Sequence, residues 1–231
     1  MASPPLPDTA LPPIVAPEEW AAAAHEAMLV EEKAFTRARD ALAARRRRMP
    51  MTPVETDHRF VGPEGEVGLL DLFDGRRQLV VYRFFYQSDV DGWPDKGCPG
   101  CSYLADHVPY LDHLRAWDTT FVMASPADQE KIVDLRRRSG WDHVPWYTLV
   151  GDDFSRDFGV AEMFGLNVFL RDDHDRVFRT YFVNGRGVES VLPTLGLLDL
   201  TPLCRQETWE DTPEGRPQLP PYRAQRRGEY P

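Results

Sequence analysis

Two cysteines separated by Pro-Gly occur in "GCPGCSYLAD", as Cys98 and Cys101. Thiols at that spacing suit few chemistries. On the first turn of a helix they lie on one side, so one can attack a disulfide while the other resolves the mixed product. They could instead form half of a zinc site, which needs four ligands. Only Cys204, His107 and His113 are obvious supplements, and no second Cys-x-x-Cys exists. An inert buried pair is the third reading, against which Gly97, Pro99 and Gly100 look like a loop.

Position favours redox chemistry. The first turn of a helix carries unsatisfied N–H groups and a partial positive charge. A thiol placed there can ionise well below its usual pKa of about 8.5. Cys98, at or just before the first turn, is the expected attacking thiol, and Cys101 the resolving one. Pro99 suits a first-turn position because no donor is needed there.

The second candidate element is "DHVPWYTL". Pro145 opening a strand is either an ordinary turn residue or, in a thioredoxin-like order, a cis-proline facing the cysteines. The Val144 backbone would then orient an extended substrate. Trp93 and Trp146, with Tyr147, flank these segments as an aromatic wall or as ordinary packing. His107 is either a thiol activator or a satisfied histidine. The acidic run Asp172, Asp173 and Asp175 reads as a hairpin tip, since no EF-hand spacing follows. Arg45 to Arg48 read as a solvated helix end, favoured by the dipole.

The elements that must position these groups follow from patterning. "QLVVYRFFYQ", residues 78–87, is a near-continuous apolar run suited to a central strand buried on both faces. After the loop "SDVDGWPDKG" come the cysteines and a helix to about Trp117, kinked at Pro109. "TTFVMAS" is a strand, and "PADQEKIVDLRRRSG" a helix stopped by Gly140. "VPWYTLV" is a strand, "NVFLRDDHDRVFRTYFVNG" a hairpin, and "GVESVLPTLGLLDLTP" a last helix. Upstream, "HRFVG" and "GEVGLLDLFDG" make a short hairpin and one helical turn. Strands alternating with helices and ending in a hairpin imply an α/β fold: a mixed sheet flanked by helices.

The flanks differ. Residues 1–16 are proline-rich, and 17–50 form an N-terminal helical extension in which Trp20, Met28, Phe35 and Leu42 make one apolar stripe. That stripe would pack on its own domain or arrange a homodimer. Residues 51–205 hold the domain, and 206–231 an irregular tail. The 231 residues carry a formal charge of −10 and a pI near 5.1, which argues against nucleic-acid binding. No long apolar run predicts a membrane span, and "MASPPLPDTALPPIVAPEEW" lacks a signal-peptide pattern, so a cytoplasmic protein is expected. A close cysteine pair in that compartment points to catalysis or metal binding rather than a staple.

"EEKAFTRARDALAARRRRMPM", "GLLDLFDGRRQLVVYRFF", "GCPGCSYLAD", "DFSRDFGV", "RTYFVNGRGVE" and "LLDLTPLCRQETWEDTPEGRP" resemble the DUF899 family. Its members are thioredoxin-like proteins related to the peroxiredoxin branch and labelled dithiol-disulfide oxidoreductases. The resemblance runs over roughly residues 17–217. It implies a thioredoxin-like, peroxiredoxin-related fold, no cofactor, a disulfide or thiol substrate and a thiol reductant. The chain departs from the family pattern at Cys204, at Arg179 and Phe182, and at Tyr147 and Leu149. A specialised biosynthetic role stays open. Thiol-dependent peroxidase chemistry would want a proline and a hydroxyl residue seven and three positions before the reactive cysteine. Asp91 and Asp95 stand there before Cys98, and Pro94 and Cys98 before Cys101, so the pattern is not met. No arginine for peroxide polarisation is identifiable from sequence.

Overall fold

Leu79 and Val81 point to one side of the run at residues 78–87, and Tyr82 and Phe84 end up among aromatic rings on the other. That two-sided burial makes this segment, β4 (Gln78–Arg83), the centre of the sheet. The computed structural model describes residues 11–54, 57–87, 97–160, 164–216 and 218.

The other strands are β1 (Thr52–Pro53), β2 (Arg59–Gly62), β3 (Gly65–Gly68), β5 (Thr119–Ser125), β6 (Trp146–Leu149), β7 (Gly165–Arg171) and β8 (Val177–Val183). They lie in the order β1-β8-β7-β4-β5-β6-β2-β3. The β4, β5 and β6 strands run parallel, joined by helical crossovers, while β7 and β8 form an antiparallel hairpin on the other side of β4. A parallel strand–helix–strand unit followed by an antiparallel hairpin on the first strand's free edge is the thioredoxin-like arrangement.

One face of the sheet holds a core of Phe60, Phe73, Leu79, Val81, Val122, Phe154, Phe158 and Phe169. The rings of Phe154, Phe158 and Phe169 meet edge-on or tilted, with centroids 4.8–6.3 Å apart. His58 is buried against the same rings. Burial lowers the His58 pKa, while Asp157, 3.8 Å away, pulls it back up.

The helices are α1 (Pro17–Trp20), α2 (Met28–Arg46), α3 (Pro99–Ala105), α4 (Leu111–Arg115), α5 (Gln129–Ser139), α6 (Asp153–Asp157) and α7 (Pro193–Leu198). The N-terminal helix is continuous, with a π-helical stretch, Ala21–Ala27, joining α1 to α2. Its Trp20, Met28 and Phe35 are exposed. Among the described residues no helix is long and apolar enough to cross a membrane.

Two expected helices are corrected. The helix after the cysteines is broken rather than kinked: α3 stops at Ala105 and α4 starts at Leu111. Pro109 has no N–H to donate and disfavours helical backbone before it. The last helix likewise divides into a 3-10 segment, Gly185–Val191, and α7, because Leu192 leaves the helical region (φ −110°, ψ 88°) ahead of Pro193.

The described residues fall into two units, one of residues 11–50 and 198–218, the other of residues 51–197. The whole sheet lies in the second unit.

Trp146 belongs to the core on the helical face. It is 1% exposed, its ring sits 4.4 Å from that of Phe84, and its indole N–H donates to Ser125 Oγ at 2.9 Å. Trp146→Phe should therefore lower unfolding stability by about 1–3 kcal/mol, the cost of orphaning a buried hydroxyl, while thiol titration stays unchanged. Chemical denaturation checks the first effect. An unchanged midpoint would show that the indole hydrogen bond contributes nothing.

Candidate active site around Cys98 and Cys101

Beyond its last paired residue, the β4 chain turns out of the ladder. Phe84 N–H still donates to Ala124 C=O at 2.8 Å. The next residue, Phe85, turns to the cysteines: its C=O accepts from Cys98 N–H at 3.0 Å, and its N–H donates to Cys101 Sγ at 3.3 Å. One residue of the central strand's extension therefore grips both ends of the Cys-Pro-Gly-Cys turn.

Cys98 is the N-cap of α3, with extended backbone, and Pro99 occupies the first helical position. Ser102 secures that turn, since its N–H and its hydroxyl both donate to Cys98 C=O, at 2.9 and 3.0 Å. Gly97 precedes the cap with φ +66°. A Cβ there would meet the Phe84 ring at 2.8 Å, so both conformation and space demand glycine.

Neither sulfur is in a disulfide, and the two are unequal: Cys98 is half-buried and Cys101 is 1% exposed. Their side chains are close enough to interact. Burial pushes the Cys101 thiol well above its usual range, and the Cys98 sulfur adds to that. The Tyr82 hydroxyl and Phe85 N–H pull it back down. Cys101 is thus a thiol at neutral pH, held beside groups that favour its anion.

Tyr82 and Arg83 are the site residues that sequence reasoning missed. Tyr82 is 1% exposed, and its phenol feels the Cys101 sulfur electrostatically. Burial, then the Cys101 charge, raise its pKa well above 10. Arg83 is 3% exposed, donating to Phe84 C=O at 2.9 Å and to Ser155 Oγ at 3.4 Å. Burial pushes its pKa down to about 10, against attraction from Cys101 and Asp152, so it stays cationic at neutral pH. The available signal was Arg83 as the one charged residue in "LVVYRFFY". A charge in a doubly buried strand must find polar partners.

The cis-proline expectation is corrected. No described peptide bond is cis, and Val144–Pro145 is trans. Val144 is buried and donates its N–H to Trp141 C=O at 2.9 Å, while Pro145 C=O accepts from Met123 N–H at 2.8 Å. These bonds feed the chain into parallel pairing of β6 with β5, an extended course that a trans bond continues. The strands beside β4 at the cysteine end are β5 and β7, where Arg83 pairs with Ala124 and Gly165; β6 is not a neighbour of β4. A Cβ on Gly165 would meet the Phe182 ring at 2.6 Å. Pro145 lines a separate cavity of about 380 Å³ with Arg136, His143 and Tyr147. Trp93, Asp91, Pro94 and Asp95 lie outside the described residues.

His107 sits at the opposite end of α3 from Cys98. Its Nδ1–H donates to Tyr103 C=O at 2.5 Å, and its Nε2 meets Thr194 Oγ1 at 2.5 Å. Both ring nitrogens are thereby engaged away from the thiols. Among the described residues, no third ligand joins Cys98 and Cys101, and the one potential metal-ligand group is Asp199, Cys204 and Glu210 in the other unit. There the Cys204 thiol donates to Glu210 at 2.8 Å, and Arg205 forks onto Asp199 with two 2.7 Å bonds.

The DUF899 family, described as "Bacterial protein of unknown function (DUF899)", matches residues 9–225. The chain belongs to this family. No curated protein matches this DUF899 sequence. Solved structures similar to it include peroxidoxin BcpB from Mycobacterium tuberculosis (17% identity, TM-score 0.41, covering 64% of this chain and 97% of that one). A thiol:disulfide interchange protein from Bacteroides sp. has 14% identity and TM-score 0.42, covering 63% and 91%. A yeast mitochondrial 1-Cys peroxiredoxin has 15% identity and TM-score 0.39, covering 65% and 78%. At these scores, what the DUF899 chain does must be argued from its own residues.

Burial first, and then the hydrogen bond to Glu210, push the Cys204 thiol up to about 11. In a Cys98→Ser, Cys101→Ser double variant, alkylation of the remaining thiol should keep accelerating to about pH 11. A rate that levels off near pH 9 would show that Glu210 and Asp199 leave Cys204 unperturbed.

Proposed function

We propose that this protein is a dithiol-disulfide oxidoreductase. The Cys98 thiolate attacks a substrate disulfide, forming a mixed disulfide and releasing one thiolate. Cys101 then attacks Cys98 Sγ, closing the Cys98–Cys101 disulfide and releasing the second thiol. An external thiol reductant returns the pair to its starting state. The carrying observation is the unequal placing of two adjacent sulfurs: the half-buried one caps α3, and the fully buried one sits behind it on Phe85 N–H. An attacking thiol needs access, whereas a resolving thiol needs protection from everything except its partner.

Thiol peroxidase chemistry has one observation in its favour, the cationic Arg83 near Cys101. The sulfur that Arg83 attracts is the buried one, held protonated, so exchange is the better reading. Metal binding through Cys98, Cys101 and a nearby histidine is disfavoured by the engagement of both His107 nitrogens.

The test is reduction of a small disulfide by the wild-type protein and by each single variant. Cys98→Ser should drop to the uncatalysed rate. Cys101→Ser should stop after one turnover with substrate covalently held on Cys98, seen as a mass increase. Full activity in either variant would overturn the reading, as would peroxide consumption that exceeds disulfide reduction.

A further inference from the structure

The N-terminal helix runs from Pro17 to Arg46, and neither α1 nor α2 buries a side chain. Its large apolar residues face water: Trp20 is 62% exposed, Met28 52%, Phe35 70% and Leu42 38%. At 1.5 Å per residue the helix is about 45 Å long. Helices owe most of their stability to the packing of an apolar face, and this face is uncovered in the single chain.

The winding of the helix keeps these residues in one line. Met28, Phe35 and Leu42 follow at intervals of seven, the repeat by which one helix packs along another. Trp20 precedes Met28 by eight, an interval that on an α-helix would swing it about 80° out of line. The intervening Ala21–Ala27 is π-helical, and its i→i+5 bonds put more residues into each turn. The extra residue is absorbed there, and Trp20 comes back over Met28. Ala27, Ala34 and Ala41 flank the stripe and are small enough to let a second helix approach closely.

Charge selects the occupant. From Pro17 to Glu32 the helix carries five glutamates and neither lysine nor arginine. From Lys33 to Arg48 the chain carries seven cations and one acid, Asp40. A surface acidic at one end and basic at the other is complementary to a second copy of itself laid antiparallel. A parallel pair would set the glutamates against each other and the run Arg45 to Arg48 against itself, which is costly.

We propose that the N-terminal helix is a homodimer interface in which two copies pair antiparallel along this stripe. Met28 of each copy meets Phe35 of the other, and Trp20 meets Leu42. Glu18 and Glu26 then lie beside Arg45 and Arg37 of the other copy. The interface does not involve the cysteines, so its test needs no turnover.

Sedimentation equilibrium of the full chain at micromolar concentration provides that test. The wild type should have twice the 26.4 kDa chain mass. Phe35→Glu and Met28→Glu, both at exposed positions, should return it to one chain mass with the circular dichroism of the folded protein retained. Glu26→Arg and Arg37→Glu should each weaken association about tenfold at low salt, because each sets like charges together twice in the dimer. The two changes combined should restore it. A wild type of one chain mass at the highest soluble concentration would overturn the proposal, leaving the stripe to another occupant. A dimer that survives both Phe35→Glu and Met28→Glu would overturn it by placing the interface elsewhere. Failure of the combined charge variant to recover would overturn the antiparallel arrangement.

Discussion

The main chain of Phe85 is the point on which this site turns. Strand β4 keeps its ladder through the Phe84 N–H bond to Ala124, and the next residue, Phe85, turns its polar groups to the cysteine turn. Its C=O takes Cys98 N–H, and its N–H meets Cys101 Sγ. Backbone groups in a buried setting must be paired, and here the cysteine turn supplies the partners. The same pairing sets the inequality of the two sulfurs, with one at the cap of α3 and the other drawn back against the sheet.

That arrangement asks the centre of an apolar strand to carry polar groups. Tyr82 and Arg83 are adjacent, so they leave β4 toward opposite faces. Tyr82 packs its ring edge-on against Phe84, while Arg83 reaches Ser155 in the middle of α6 and the Phe84 carbonyl. A buried guanidinium without such partners would cost several kcal/mol. Its hydrogen bonds also stitch the cysteine end of β4 to the core on the other face. Trp141 and Trp146 close the helical side, and the Trp141 indole N–H bond to Asp106 at 3.0 Å ties the end of α3 to the turn after α5. The site is held from both sides of a single strand.

Much of the architecture was legible because it follows from local pattern. The two-sided apolar run announced β4, Gly140 announced the end of α5, and Asp172 to Asp175 announced the β7–β8 turn. The breaks at Pro109 and Pro193 were understated, since a missing donor and a crowded preceding residue ended helices that the pattern carried through. The assignment of Pro145 went astray for a different reason. A proline before a strand is a local fact, but which strands border β4 is a matter of sheet order, and those places belong to β5 and β7 rather than β6.

From its sequence alone, this protein declared a Cys-x-x-Cys pair at a strand-to-helix junction, a mixed sheet and membership of the DUF899 family. The first two depend on residue type, spacing and periodicity, and the third on likeness to the family's sequences, all of which are written along the chain. Tertiary structure decided which sulfur is buried, and that Tyr82 and Arg83 share its surroundings. It also decided that His107, six residues past Cys101, spends both nitrogens elsewhere. Burial and charge proximity depend on distances across the fold, and no local pattern encodes those.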